Sequence, residues 1–356
     1  MYDFSNKKID KRNKLIYSIA KLFAVWGYKH LAKPHEEIHD DLKKLKDKNS
    51  VFLYTGLHKS LWETTGVLAS LYRNNLPIPF VGMGDNLVRG KFYQNLVKKT
   101  GVFLIKRANV RRDIVKSAES LKKSILNFIV HNTDILVFPE GTRKNISRKG
   151  KYGDFFPAAF EAMLEYEKNK KEILKSNKKL LDLQSYIVPF NVDYSKIRED
   201  AEIIKESKNT HHVLHIFDSF RMLKNLGDIY ITIGKPISVS ANIKKNRKEL
   251  AKYTRERCLD LVKILPINIV SRSILDSYNK GKIEYKKLPY NISKNIEKLE
   301  IYKDRFKGFS IKDKPQCIID SLNRNEIKLK KIDASNLAVY ELYSNYILHY
   351  FEKQKE

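Results

Sequence analysis

The stretch VFLYTGLHKSLWETTGVLASLYR, residues 51–73, changes its period part-way. VFLYTG (51–56) is a short apolar run of strand type, and a helical run follows over roughly 60–73. The same switch recurs downstream. A strand at 78–82 precedes a helix near 90–99, and a strand at 102–105 precedes an amphipathic helix over about 111–131. On that helix Ile114, Ala118, Leu121, Ile125 and Phe128 fall on one face. The strand ILVF (135–138), a helix from about 157 to 175, and the strands SYIVPF (185–190) and IYITIG (229–234) continue the series. Alternating strands and helices predict an α/β fold: a mostly parallel central sheet flanked by helices. Residues 1–50 read as helical, and past Pro236 the chain reads as helical to its end. The expected organisation is an N-terminal helical segment (1–50), an α/β domain (51–240) and a C-terminal helical region (241–356). The Lys-rich stretch 279–305 reads as a solvated face or linker.

The composition bounds what such a fold can do. With 42% hydrophobic and 11% aromatic residues in 356, the chain can bury a sizeable core, which excludes general disorder. Gly 14 and Pro 10 exclude collagen-like and low-complexity classes. Lys+Arg 69 against Asp+Glu 41 leaves +28, which favours a polyanionic partner: nucleic acid, an anionic membrane surface, an acidic carrier protein or a phosphorylated substrate. Cys258 and Cys317 form neither a disulfide framework nor a zinc knuckle, so a reducing cytoplasm is the default. No stretch approaches the roughly 18 uninterrupted apolar residues of a spanning helix. Within residues 15–28, Leu15, Ile19, Leu22 and Trp26 form one stripe, with Lys14, Lys21 and Lys29 elsewhere. That pattern suits a helix lying in a membrane interface and equally one packed on the domain behind it.

Three groups of chemistry-bearing residues follow predicted strands, which places them on the carboxyl edge where open α/β sheets hold their sites. His58 follows the first strand, with Glu63 five residues on, close enough to hydrogen-bond the imidazole and fix its tautomer. Lys106 and Arg107 close the strand of GVFLIKR (101–107). LVFPEGTRK (136–144) turns at Gly141 and presents Arg143, a fork suited to phosphate, with Arg148 and Lys151 following in SRKGK (147–151). In IVPFNVDY (187–194), Pro189 interrupts a buried strand and marks an edge or bulge.

Taken together, HKSLWE (58–63), GVFLIKR (101–107), FPEGTR (138–143) and IVPFNVDY (187–194) resemble the four ordered blocks of the glycerolipid acyltransferases. GMGDNL (82–87), SRKGK (147–151), the continuation into NVDY and the terminal LAVYELYSNYILHYF (337–351) are similar to the glycerol-3-phosphate branch. The chain departs from the pattern at Glu63, where Asp is usual, at KNI (144–146), which lengthens a loop, and at Ser195, where Glu is usual.

The resemblance implies transfer of a fatty acyl group from an acyl-CoA or acyl-carrier-protein thioester to the sn-1 hydroxyl of glycerol 3-phosphate, the first step of phospholipid synthesis. His58 would be the base and Glu63 its support. Lys106, Arg107 and Arg143 would clamp the phosphate, with Arg148 and Lys151 as further members. Glu140, Gly141 and Thr142 belong to the same substrate-binding block, Glu140 organising its loop. Neither metal nor cofactor is implied, and the lack of a spanning stretch leads to the expectation of a peripheral protein on the cytoplasmic face of a membrane. The acceptor could also be 1-acylglycerol 3-phosphate or dihydroxyacetone phosphate. Two readings compete from other classes. HEEIH (35–39) matches a zinc-protease helix literally, and His211, His212 and His215 cluster further on. A basic nucleic-acid binder fits the charge, although no recognisable binding module is present.

Overall fold

The computed structural model describes residues 18, 25–28, 30, 32–88, 90–106, 111–143, 145–173, 182–208, 227–279, 282–324 and 337–354. The α/β part runs β1 (Ala32–Ile38), α1 (Asp41–Lys46), β2 (Ser50–Gly56), α2 (Glu63–Arg73), β3 (Phe80–Gly84), α3 (Lys91–Lys99), β4 (Val102–Ile105), α4 (Arg111–Ile129), β5 (Ile135–Val137), α5 (Asn145–Lys149), α6 (Ala158–Ile173), β6 (Gln184–Tyr194), α7 (Asp200–Lys208), β7 (Gly227–Ile233) and β8 (Ile237–Ser238). Then come α8 (Arg247–Leu259), α9 (Pro266–Asp276), a small hairpin of β9 (Tyr278–Asn279) and β10 (Lys282–Ile283), α10 (Leu288–Lys298), α11 (Pro315–Arg324), α12 (Leu337–Asn345) and α13 (Leu348–Glu352).

The main sheet has the order β1-β7-β6-β2-β5-β3-β4, with β8 pairing alongside β6. Neighbours are parallel at β1/β7, β6/β2, β2/β5, β5/β3 and β3/β4, and antiparallel only where β6 meets β7 and β8. This is the mostly parallel α/β sheet that the sequence predicts. Every residue of β2 is buried, as expected of a strand with neighbours on both edges and helices on both faces. The carboxyl ends of β2 to β6 therefore share one edge, and the loops that follow them meet there.

Ala32–Ile38, expected to be helical, is instead the outer strand beside β7, so these residues belong to the sheet. Its exposure alternates with period two, and its charged residues and Pro34 are tolerated because the strand lies at an edge. This also removes the zinc-helix reading of HEEIH. Four residues along a strand separate His35 from His39 by about 13 Å, against one turn on a helix. His35 Nε2 instead meets Asp228 Oδ1 at 3.0 Å, and its ring stacks on Tyr230. The cluster His211, His212 and His215 lies outside the described residues, as do Leu15, Ile19 and Leu22.

Two further readings change. The Lys-rich stretch contains α10, which buries Leu288, Ile292 and Ile296 against α9 and α11. Pro189 stands neither at an edge nor at a bulge. β6 passes from β8 to β7 there, and Pro189 O accepts Gly234 N at 2.8 Å, so the missing N–H faces the gap between those two partners. The hydrophobic core is one continuous cluster that extends from the sheet into α9, α10, α12 and α13.

Two packing details yield measurable consequences. A Cβ on Gly56 would lie 2.5 Å from the Phe190 ring and 2.7 Å from its backbone oxygen. Gly56→Ala should therefore lower stability by about 2–3 kcal/mol, read from the urea midpoint at constant slope. On α13, burial pulls His349 down to about 3 from its ordinary 6.5. The folded protein then binds fewer protons than the unfolded chain between those values, so this contribution is intact above about pH 6.5 and is lost as pH falls toward 3. His349→Gln should flatten the loss of stability on acidification, measured as unfolding free energy between pH 7 and 4.

Candidate active site

The loop between β2 and α2 carries His58 and is held from three directions. Glu140, after β5, accepts His58 N at 3.1 Å with one oxygen and Gly153 N at 2.8 Å with the other. Glu199, after β6, accepts Ser60 Oγ at 2.7 Å and Leu61 N at 2.8 Å. Lys59 points inward, where Nζ donates to Asn191 Oδ1 at 2.9 Å and Val192 O at 3.1 Å and forms a close ion pair with Asp193. Above that ammonium lie the rings of Tyr346 at 5.5 Å and Tyr152 at 5.8 Å. A buried lysine is stable only when neutralised and fully hydrogen-bonded, and these partners meet both conditions.

With Lys59 turned in, His58 turns to the edge. Its Nδ1 lies 2.9 Å from Glu63 Oε2, while Glu63 Oε1 accepts Lys59 N at 2.7 Å. The longer glutamate thus spans the distance in place of the usual aspartate. His58 keeps 15% of its side chain exposed and Glu63 none. The imidazole lies flat on Phe138, with ring centroids 4.3 Å apart, which fixes its plane and leaves Nε2 on the side away from Glu63. Burial pushes the Glu63 carboxyl well above its ordinary range, opposed by the charge of Lys59 and by backbone N–H bonds. Glu140 is raised for the same reason, against bonds from His58 N and Gly153 N. A carboxylate in that position is stabilised by positive charge on the imidazole it faces.

FPEGTR wraps beneath this loop. Gly141 adopts φ +65, a left-handed conformation that favours glycine, and the Phe156 ring lies against its open side. Thr142 is half-buried. Arg143, expected to offer its fork to a phosphate, is instead buried: Nη2 and Nε meet Glu206 at 2.9 and 3.3 Å, and Nη1 meets Glu199 at 3.4 Å. The residues that lengthen the next loop anchor it, since Asn145 Nδ2 reaches Glu140 Oε2 at 3.4 Å and Ile146 is buried. Arg148, Lys151 and Lys106 are exposed. Lys106 lies at the end of β4, three strands from β2, or about 14 Å in strand spacings. Arg107 lies outside the described residues.

Lys59, Asp193, Glu199, Glu206 and Tyr346 escape a reading by sequence, because lysine and glutamate in loops ordinarily signal solvent. The blocks HKSLWE, NVDY and 337–351 contain Lys59, Asp193 and Tyr346, but nothing in them signals that the three meet.

Residues 37–193, from β1 to the Asp193 that pairs with Lys59, match the family model for Acyltransferase. Residues 37–193 are thus similar to an acyltransferase domain. Among curated proteins it is similar to the glycerol-3-phosphate acyltransferase of Baumannia cicadellinicola subsp. Homalodisca coagulata, 25% identical over 205 residues, which cover 56% of this chain and 23% of that protein. It is also similar to the glycerol-3-phosphate acyltransferase of Pseudoalteromonas translucida (strain TAC 125), 23% identical over 242 residues, covering 64% of this chain and 27% of that protein. The matches thus span about a quarter of the length of these relatives. The matched residues contain both the His58–Glu63 pair and the Glu140 loop that holds it.

Removing the guanidinium from this domain would strand two carboxylates inside it. Arg143→Ala should cost about 3–5 kcal/mol in unfolding free energy, with Arg143→Lys restoring part of it, as measured by denaturant titration.

Proposed function

We propose that this protein transfers a fatty acyl group from a thioester of coenzyme A or acyl carrier protein to the sn-1 hydroxyl of glycerol 3-phosphate. The observation that carries this reading is the 2.9 Å His58–Glu63 pair at the carboxyl edge, inside an acyltransferase domain. The matched relatives are themselves glycerol-3-phosphate acyltransferases, which supports the choice of acceptor.

A primary alcohol is a poor nucleophile at neutral pH. His58 Nε2 takes the hydroxyl proton as that oxygen attacks the thioester carbonyl, and Glu63 stabilises the imidazolium that results. The tetrahedral intermediate then collapses, the C–S bond breaks, and the imidazolium returns its proton to the departing thiolate. A positioned base of this kind supplies about 10²–10⁴-fold, and holding two substrates together supplies the remainder. Lys106, Arg107, Arg148 and Lys151 anchor the phosphate. Gly141 and Thr142 shape the loop beside it. Arg143 acts through Glu199 and Glu206, fixing the Glu140 loop from within. A good thiolate leaving group needs no metal.

Among the described residues no helix is long and apolar enough to cross a membrane. A peripheral position on the cytoplasmic face suits a protein of charge +28 whose product is a lipid.

His58→Ala should reduce acyl transfer by about 10³-fold or more while glycerol 3-phosphate still binds, seen by calorimetry beside a radiolabelled acyl-CoA assay. Wild-type-like turnover in that variant would end the mechanism. Glycerol 3-phosphate, dihydroxyacetone phosphate and 1-acylglycerol 3-phosphate offered side by side, with both donors, identify the acceptor. A salt-sensitive DNA gel shift without acyl transfer to any of them would favour the nucleic-acid class instead.

A further inference from the structure

The peptide unit between Tyr152 and Gly153 is held at both ends. Its N–H, on Gly153, donates to Glu140 Oε2 at 2.8 Å. Its carbonyl, on Tyr152, accepts from Arg255 Nη2 at 2.9 Å. In a trans peptide these two groups point in opposite directions, so one rigid plane links a guanidinium to a carboxylate. Arg255 Nε donates to the next carbonyl, Gly153 O, at 2.7 Å. A planar fork on two successive carbonyls fixes the direction of the peptide as well as its position.

The backbone comes this close to Glu140 because residue 153 has no side chain. A Cβ there would lie 2.0 Å from Asn145 Nδ2 and 3.1 Å from Glu140 Oε2. The helix that supplies the guanidinium, α8, is itself firmly placed. Asn246 and Glu249 form a capping box at its start, and Leu250, Ala251, Thr254, Cys258 and Leu259 are buried. Arg247 pairs with Glu161 of α6. Cys258 Sγ, one turn beyond Arg255, donates to Thr55 O of β2 at 3.5 Å. Arg255 is half-buried. It lies outside residues 37–193, in the C-terminal helical region.

We propose that Arg255 is a positioning residue for His58: through the Tyr152–Gly153 peptide it sets Glu140, and Glu140 sets the backbone N–H of His58. The inference rests on the acyltransferase reading of His58. Hydrogen bonds in a row polarise one another, so a guanidinium on the carbonyl makes the N–H of the same peptide a better donor to Glu140. Without Arg255 that peptide is free to turn, and Glu140 loses one of its two backbone donors. A buried carboxylate with fewer donors gains a proton more easily. His58 N then loses its charged acceptor, and the imidazole is held less well against the attacking hydroxyl. The C-terminal helical region thereby takes part in the chemistry at the sheet edge.

The test combines steady-state kinetics with amide hydrogen exchange on the full chain. In acyl transfer to glycerol 3-phosphate, Arg255→Met should lower kcat by about tenfold with little change in KM for acyl-CoA, and Arg255→Lys should recover part of the loss. In a Glu140→Gln background, Arg255→Met should lower kcat by less than about a further twofold, because both changes act through one carboxylate. Exchange at the His58 and Gly153 amides should rise by about tenfold or more in Arg255→Met. Arg247→Met, on the same helix but paired with α6, should match wild type in both measurements. Wild-type-like kcat in Arg255→Met, independent multiplication of the two losses, or unchanged exchange at His58 overturns the proposal. If Arg255→Met does not fold, Arg255→Gln, which keeps one donor, takes its place under the same criteria. The expected rise in exchange, in a protein whose wild type transfers to no acceptor, supports the positioning of His58 and overturns the reaction instead.

Discussion

The bond from His58 N to the carboxylate of Glu140 joins two loops that follow neighbouring strands, β2 and β5. Everything chemical at this edge depends on that link. A backbone donor held by a buried carboxylate cannot drift, so the imidazole of the same residue keeps its place over Phe138 and against Glu63. The other oxygen of Glu140 closes the far end of its own loop at Gly153. The arrangement is made of bonds to buried carboxylates, where each is worth more than it would be at the surface and each unmade one costs more.

Around that link lies a layer of paired charges. Arg143 joins Glu199 to Glu206, and Lys59 joins Asp193 to Asn191. These pairs contribute little net stability compared with an apolar core of the same shape. Their effect is geometric: each ties a loop to a different element of the fold, and the loss of one partner leaves a buried charge unpaired. The basic residues at this edge thus divide in two. Arg143 and Lys59 hold the scaffold, while Lys106, Arg148 and Lys151 face solvent, where a phosphate could reach them.

Much of the fold was legible because parallel strands buried on both faces are apolar runs between helical periods. VFLYTG, VFLI and ILV all lie where the pattern places them. The His58–Glu63 pair was legible from spacing and from its position after a strand. What stayed hidden shares one cause, since local pattern carries no information about distant partners. β1 looks helical in composition, and only its ladder with β7, about 195 residues away, makes it a strand. Arg143 looks like a ligand for an anion until Glu206 closes on it. Ile114 looks like core because its helix is amphipathic throughout, yet only the later turns of that helix reach the core.

Tyr346 lies over the ammonium of Lys59, although the two residues are separated by most of the chain. On the ribosome the loop bearing the imidazole emerges long before the helix that roofs it. Until that later segment folds back, the neighbouring lysine lacks its aromatic ceiling and has reason to remain in water, pulling the loop out of register. The inward position of Lys59, and with it the outward turn of His58, therefore depends on a segment about 290 residues further along the chain.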